Sequence, residues 1–201
     1  MKRLPLKEAA LSANLSEKFP GFDIEWYDTH PSTNKRAREL GSTGIKKPYV
    51  IVADSQTEGR GRLGRTWHSP ENSGLWFSIL CFPQMPLHKV TSLTIKTGKA
   101  VQRFISREFH IDSAIKYPND LLINGKKVCG ILAESDTIAG RTIPEYVVLG
   151  TGLNLKTAFP DDLKDICTSV NEHWQGDFKS NDELIATVVA EIMKECELDI
   201  E

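Results

Sequence analysis

The sequence contains no CxxC pair, and none of its four cysteines has a histidine at metal-ligand spacing. Dithiol redox chemistry and zinc-finger chemistry are therefore excluded. No apolar run approaches the ~18 residues of a membrane-spanning helix. The N-terminal stretch MKRLPLKEAALSANL starts basic, but Pro5, Lys7 and Glu8 interrupt it before an apolar leader core can form. Cys81, Cys129, Cys167 and Cys196 are accordingly expected to be reduced thiols, mostly small buried hydrophobes, in a soluble cytoplasmic protein. An excess of one charge is also missing: 25 Lys and Arg against 27 Asp and Glu leave a net charge of −2. No global field draws the chain to DNA or a membrane, so any anion site must be local.

What is present is an ordinary globular mixture. At 201 residues, with 40% hydrophobic and 26% charged residues, the chain reads as one domain, 1–201, large enough to bury a core without metal or disulfide staples. Strands and helices alternate. Ile24 to Tyr27 reads as a strand, and Ser32-Thr33-Asn34 then offers helix-capping side chains before a run from Lys35 to Leu40 closed by Gly41. Tyr49 to Ala53 is apolar on both faces, as a central strand would be. Residues 55–70 read as a loop, and Gly74 to Phe82 as a strand.

Val90, Leu93, Thr97, Val101 and Phe104 recur at helical spacing, predicting a long amphipathic helix over 87–109. Asn124-Gly125 between Leu121-Leu122-Ile123 and Val128 to Leu132 predicts a hairpin. Glu145 to Gly150 adds a strand, and the tail from Asp161 reads as two helices, the second presenting Ile185, Val189, Ile192 and Cys196. The expected fold class is α+β, a central mixed sheet with helices packed on one face.

The loop carries the strongest chemical signal. Gly59-Arg60-Gly61-Arg62-Leu63-Gly64 satisfies the GxGxxG spacing, and Gly59 to Thr66 matches a P-loop except that Arg65 replaces its lysine. Both motifs need a helix to open at once, whereas Trp67-His68-Ser69-Pro70-Glu71-Asn72 is turn chemistry. What remains is physical: three arginines among three glycines, with no acid between residues 59 and 70. Such a segment suits phosphate or carboxylate, the glycines admitting close backbone approach and the guanidinium forks binding two oxygens at once. It is expected to be mobile when empty and ordered by ligand.

Other polar positions are more ambiguous. Lys116-Tyr117-Pro118-Asn119-Asp120 reads as a surface turn that could project Lys116 and Asp120 from one edge of the sheet. Lys127 could protect a sheet edge or serve a site. In Gly150-Thr151-Gly152-Leu153-Asn154 the two glycines imply close approach of a helix or a ligand to the backbone.

Taken together, STN at 32–34, QTEGRGRLGRTWHSP at 56–70, KYPND at 116–120, GKKVCGIL at 125–132 and GTGLN at 150–154 resemble the biotin protein ligase family. The resemblance implies a mixed sheet related to class II aminoacyl-tRNA synthetases and a two-step reaction. The biotin carboxylate attacks the α-phosphate of Mg-ATP, and a lysine of a biotin carboxyl carrier domain then attacks the biotinyl-5′-adenylate. It places Ser32, Thr33, Asn34, Gln56, Arg60, Gly61, Arg62 and Lys127 around biotin and the adenylate, with Arg62 and Lys127 as the catalytic cations. It places Lys116, Asn119, Asp120, Asn154 and Trp67 on the nucleotide side, with Asp120 as the Mg2+ ligand. Tyr117 departs from the tryptophan usual in the family. The stretch before Ser32 is expected to be too short for the DNA-binding winged helix of repressor-type members, and the small C-terminal β-barrel is expected to be absent. A homodimer through sheet edges is compatible with this reading. The competing expectations are a lipoate or octanoate transferase of related fold and a non-catalytic binding module.

Overall fold

The structure, a computed structural model, describes residues 1–16, 21–136 and 141–198. Its centre is a seven-stranded sheet: β1 (Asp23–His30), β2 (Tyr49–Gln56), β3 (Gly74–Cys81), β4 (Ala114–Lys116), β5 (Asp120–Ile123), β6 (Lys126–Ser135) and β7 (Val147–Asn154), in the order β1-β2-β3-β7-β6-β5-β4. Only β1 and β2 run parallel; every other neighbouring pair is antiparallel. The mixed sheet is thus as expected. β3 and β7 are buried along their whole length, which is why both read as near-continuous apolar runs.

Four helices flank the sheet: α1 (Pro5–Ser16), α2 (Thr33–Gly41), α3 (Val90–Phe109) and α4 (Asn181–Cys196). The alternation of β2 sorts them. Val50 and Val52 join a large core with Leu11 of α1, Leu93, Val101 and Phe104 of α3, and Ile185, Val189 and Ile192 of α4. Ile51 and Ala53, facing the opposite way, pack with Ala37 and Leu40 of α2 and with Tyr146 and Val148. One-face packing therefore holds for α1, α3 and α4, whereas α2 lies on the other face. Fully burying a side chain such as Phe104 stabilises the fold by about 1.5–3 kcal/mol.

Two segments differ from the sequence reading. Pro5, disruptive to an apolar leader, is well placed in the first turn of a helix, and Leu11 and Leu15 at helical spacing bury α1. Two ends anchor it: Lys7 pairs with Asp54 at 2.7 Å, and Asn14 donates to Asp182 at 2.9 Å. In the tail, the first of the two expected helices does not form. Residues 161–178 make turns and one 3₁₀ turn at Val170–Glu172, and only α4 is helical. Gly176 and the Ser169 capping box with Glu172 favour these short turns over a continuous helix.

Among the described residues no helix is long and apolar enough to cross a membrane. All four cysteines are free thiols, three buried and Cys167 half-buried. Burial pushes the Cys129 thiol up to about 12 and Cys196 to about 11, so these sulfurs are packing groups rather than nucleophiles.

Candidate active site

The site lies on the α2 side of the sheet. The turn after β1 delivers Ser32 as the N-cap of α2, its Oγ accepting from the Lys35 amide at 3.4 Å. Buried His30 anchors that turn from below: the Ser32 amide donates to its Nδ1 at 3.2 Å, and burial holds the imidazole below its usual pKa. Parallel pairing of β1 with β2 sets His30 opposite Gln56. Gln56 Oε1 thereby receives the Thr33 amide at 2.9 Å and lies 3.2 Å from the Thr33 hydroxyl. Asn34 projects from the first turn of α2 toward Gly150, where an added Cβ would sit 1.9 Å from its Oδ1. The backbone approach foreseen for Gly150 is this contact.

The arginine loop folds back on itself between β2 and β3. Gly61 donates to the Arg65 carbonyl at 2.7 Å, and Trp67 donates to the Gly59 carbonyl at 2.9 Å. Leu63 and Gly64 both take positive φ, 58° and 74°, which a glycine tolerates and a leucine adopts at a cost. No helix opens after Gly64; a 3₁₀ turn over Arg62–Gly64 gives way to turns and β3. Neither the dinucleotide nor the P-loop arrangement exists here.

The loop ends by laying Trp67 over the sheet. Gly130 and Gly152 are paired across β6 and β7. A Cβ on Gly152 would lie 2.3 Å from Trp67 Nε1, and one on Gly130 would lie 2.9 Å from the indole ring. The indole therefore rests on backbone alone. Its Nε1 is buried without a hydrogen-bond partner, a donor for which an incoming acceptor would relieve the desolvation penalty.

Lys127, near the start of β6, stands beside the indole with Nζ 5.1 Å from its ring and 2.6 Å from Asp120 Oδ1. Asn119 supports Asp120 at 2.9 Å, and Arg62 Nη1 donates to Asn119 Oδ1 at 2.8 Å. The loop is thus fastened to the KYPND turn by one hydrogen bond. The tail adds a wall, since the Lys127 amide donates to the Ile166 carbonyl and its carbonyl accepts from Thr168.

Two cavities meet at these cations. A narrow one of about 50 Å³ is lined by Ser32, Thr33, Asn34, Gln56 and Arg60 on its inner side. A wider one of about 550 Å³ is lined by Lys116, Asp120, Asn154, Phe159 and Cys167. Gly61, Arg62, Trp67, Asn119 and Lys127 border both. The structure therefore brings together all the sequence-derived site residues, split between two compartments. Asn154 is the least available: its Nδ2 donates to Thr168 O at 3.1 Å and its Oδ1 faces Thr157 at 3.5 Å, so it shapes the wall. Among the described residues no cluster of three metal-binding side chains occurs. Asp120 and Asp165 both line the wider cavity without forming such a cluster, which suits a Mg2+ ion carried mainly by phosphate oxygens rather than a dedicated protein cage.

Sequence reasoning missed Ser78, wholly buried in β3 and bonded to both Thr33 and Asn34. A single serine inside Gly74-Leu75-Trp76-Phe77-Ser78-Ile79 was the available signal. It also missed Glu134, which pairs with Asn34 and Arg38.

The profile of the biotin/lipoate A/B protein ligase family matches residues 26–154, the stretch holding every site residue expected from the sequence. The chain belongs to this family. Among relatives, it is 39% identical to the bifunctional ligase/repressor BirA of Bacillus subtilis over 83% of this chain and 52% of that one. It is 32% identical to a biotin acetyl-CoA-carboxylase ligase of Mycobacterium tuberculosis, over 84% of this chain and 62% of that one. The chain thus spans about half the length of the first of these relatives. Among solved family structures, biotin protein ligase from Aquifex aeolicus in complex with biotin and ATP superposes with a TM-score of 0.72 at 30% identity, covering 89% of this chain and 71% of that one. Biotin protein ligase from Leishmania major in complex with biotinyl-5-AMP gives 0.73 at 26% identity, over 90% and 77%.

Proposed function

We propose that this protein is an ATP-dependent ligase that activates biotin as biotinyl-5′-adenylate and transfers the biotinyl group to a lysine of a biotin carboxyl carrier domain. One observation carries the reading: Arg62 and Lys127 stand at the junction of two compartments, one lined with small neutral polar groups and the other broad and bordered by charge.

On this reading the inner compartment, with the neutral Ser32, Thr33, Asn34 and Gln56 and with Arg60 beside them, holds the ring system of biotin, and its carboxylate points toward Lys127. The wider compartment takes Mg-ATP, with Trp67 beneath the nucleotide and Lys116, Asn119 and Asp120 on its phosphate and metal side. A carboxylate and a triphosphate repel one another, so the first requirement is a pair of fixed cations between them. A carboxylate oxygen attacks the α-phosphorus, the bond to the bridging oxygen breaks, and pyrophosphate leaves. Lys127 and Arg62 neutralise the charge that builds on the phosphoryl oxygens. In the second step the carrier amine attacks the acyl carbon, AMP departs, and the amine loses its proton. No protein nucleophile is required, and Arg60, Gly61 and Arg62 shield the mixed anhydride from water.

A cytosolic setting accords with the unpaired cysteines. The reading is tested by exchange of labelled pyrophosphate into ATP, which should depend on biotin and magnesium. Intact mass of a carrier domain after incubation should then rise by one biotinyl group. Exchange supported by lipoate and not by biotin would assign the chain to the lipoate branch instead.

A further inference from the structure

We infer that Glu134, outside every segment considered in the sequence reading, is a positioning residue. It sets the direction of a buried hydrogen-bond relay, so that the inner compartment selects a ligand bearing an N–H beside a carbonyl, such as a cyclic urea. The inference rests on the biotin reading and deepens it.

The relay starts where β6 passes under α2. A carboxylate only accepts hydrogen bonds, so Glu134 Oε2, at 2.8 Å, holds the Nδ2 end of Asn34 toward itself. The Leu132 carbonyl takes the same nitrogen at 3.2 Å. Asn34 Oδ1 must then face Ser78, and because a carbonyl oxygen cannot donate, Ser78 spends its one proton on Asn34 Oδ1 at 2.6 Å, so its oxygen accepts from the Thr33 hydroxyl 2.7 Å away. Thr33 therefore spends its own proton on Ser78, while its backbone amide donates to Gln56 Oε1 at 2.9 Å. This fixes the Gln56 amide, leaving Nε2 toward Ser69 Oγ at 3.1 Å, and Ser69 in turn donates to the Trp67 carbonyl at 3.1 Å.

The directions from Asn34 to Thr33 follow from the acceptor at the start of the chain, whereas the Gln56 amide is held by the Thr33 backbone N–H. Ser78, Thr33 and Asn34 are all at least nine-tenths buried, so water does not compete for these bonds. Two capacities remain at the cavity: a lone pair on Thr33 Oγ1 and the second N–H of Gln56. An acceptor and a donor side by side complement the N–H and C=O of a urea, and they offer nothing to the dithiolane ring of lipoate. Reversing Asn34 would send the Ser78 proton to Thr33 and take up the Thr33 lone pair, leaving the Gln56 offer as it is.

Arg38 also touches Glu134, at 3.2 Å, which lets the ion pair and the relay be separated. Glu134→Ala removes both; Arg38→Ala removes the ion pair only; Glu134→Gln loses the charge but keeps an oxygen that can accept from Asn34. Calorimetric titration of each full-length variant with biotin and with desthiobiotin, which keeps the urea and lacks the sulfur ring, reads the result. Glu134→Ala should weaken both ligands equally, by about five- to tenfold, the size of one lost hydrogen bond. The ATP KM and the melting temperature should stay as in the parent protein. Glu134→Gln should recover most of the loss, and Arg38→Ala should bind both ligands like the parent. Unaltered binding in Glu134→Ala, or an equal loss in Arg38→Ala, would overturn the inference while the ligase reading stood. A parent protein that takes up no biotin would overturn both.

Discussion

Lys127 Nζ lies 2.6 Å from Asp120 Oδ1, so before any substrate arrives the cation at the junction of the two cavities already has an anionic partner. The pair is about three-quarters buried at both side chains, and it stores Lys127 at the point where a carboxylate and a phosphate would meet. On arrival of those groups the ammonium can exchange one oxygen partner for others without crossing the site. Lys127→Ala should lower biotin-dependent pyrophosphate exchange by about 100- to 1,000-fold, as expected for removing a preorganised charge from a developing oxyanion. Its melting temperature should move little. Steady-state exchange compared with calorimetric biotin binding would separate lost chemistry from lost affinity, and near-parental exchange would contradict the role.

Arg62 fastens the glycine-rich loop to the KYPND turn through its 2.8 Å bond to Asn119. Arg62→Gly should therefore shorten retention of the acyl-adenylate by about ten- to a hundredfold, one charge-assisted hydrogen bond being worth about 1.5–3 kcal/mol. Size-exclusion of the preformed complex measures its lifetime, and biotin appearing on bystander lysines reports its escape. Trypsin cleavage at Arg60, Arg62 and Arg65 should also slow when biotin and ATP are added; an unchanged rate would argue against ligand ordering of the loop.

The glycines on β7 separate the two ligands. A Cβ on Gly150 would sit 1.9 Å from Asn34 Oδ1, whereas one on Gly152 would meet Trp67 Nε1 at 2.3 Å. Gly150→Ala should thus raise the biotin KM with a smaller effect on ATP, and Gly152→Ala should do the reverse, each by about five- to a hundredfold, since overpacking costs about 1–3 kcal/mol. Matching losses for both substrates in both variants would show that the compartments are wrongly assigned.

Chelation gives a second separation. Asp120 lines the wider compartment beside Lys127 and Asn119, and it already bonds both. Excess EDTA should abolish pyrophosphate exchange while leaving the biotin titration unaltered, because magnesium enters with the triphosphate. Loss of biotin binding on chelation would point to a metal held by the protein itself.

Acid stability should report Glu25. Burial alone would raise its carboxyl, but hydrogen bonds from Arg36 and Tyr27 outweigh burial and hold it below the ordinary glutamate value. The two Arg36 contacts are 2.7 and 2.9 Å. The stabilisation is complete above the unfolded glutamate pKa of about 4.3 and is lost as pH falls through the lower folded value. Glu25→Gln should flatten the acid limb of melting temperature against pH and cost about 1–3 kcal/mol at neutral pH. Thermal melts from pH 7 to 3 decide it; a parallel curve for the variant would refute the assignment.

Local chemistry was legible in the chain itself. Ser32 caps α2, Asn124-Gly125 turns the β5–β6 hairpin, and the apolar period of α3 matches its buried face. These depend on neighbours within a few residues, where side-chain size, φ preference and charge act directly. The arginine loop was legible for the same reason: its charge and its glycines are contiguous. The absent helix over 161–178 shows the limit, since polar turn-forming residues there outweighed a weak helical pattern once the segment was needed to wall Lys127.

What only the tertiary structure decided is which distant residues meet. Glu134 reaches Asn34 across a separation of 100 residues, Ser78 reaches it across 44, and Gly130 faces Gly152 because β6 and β7 pair in one register. A slip of one residue in that register would turn the glycine pair to the opposite face and leave Trp67 without a floor. Composition and spacing determined that this protein carries a local cationic, glycine-rich loop on an α+β sheet. Strand order and register decided that the loop closes over a directed polar pocket, because hydrogen-bond direction is set by contacts that no local stretch of sequence contains.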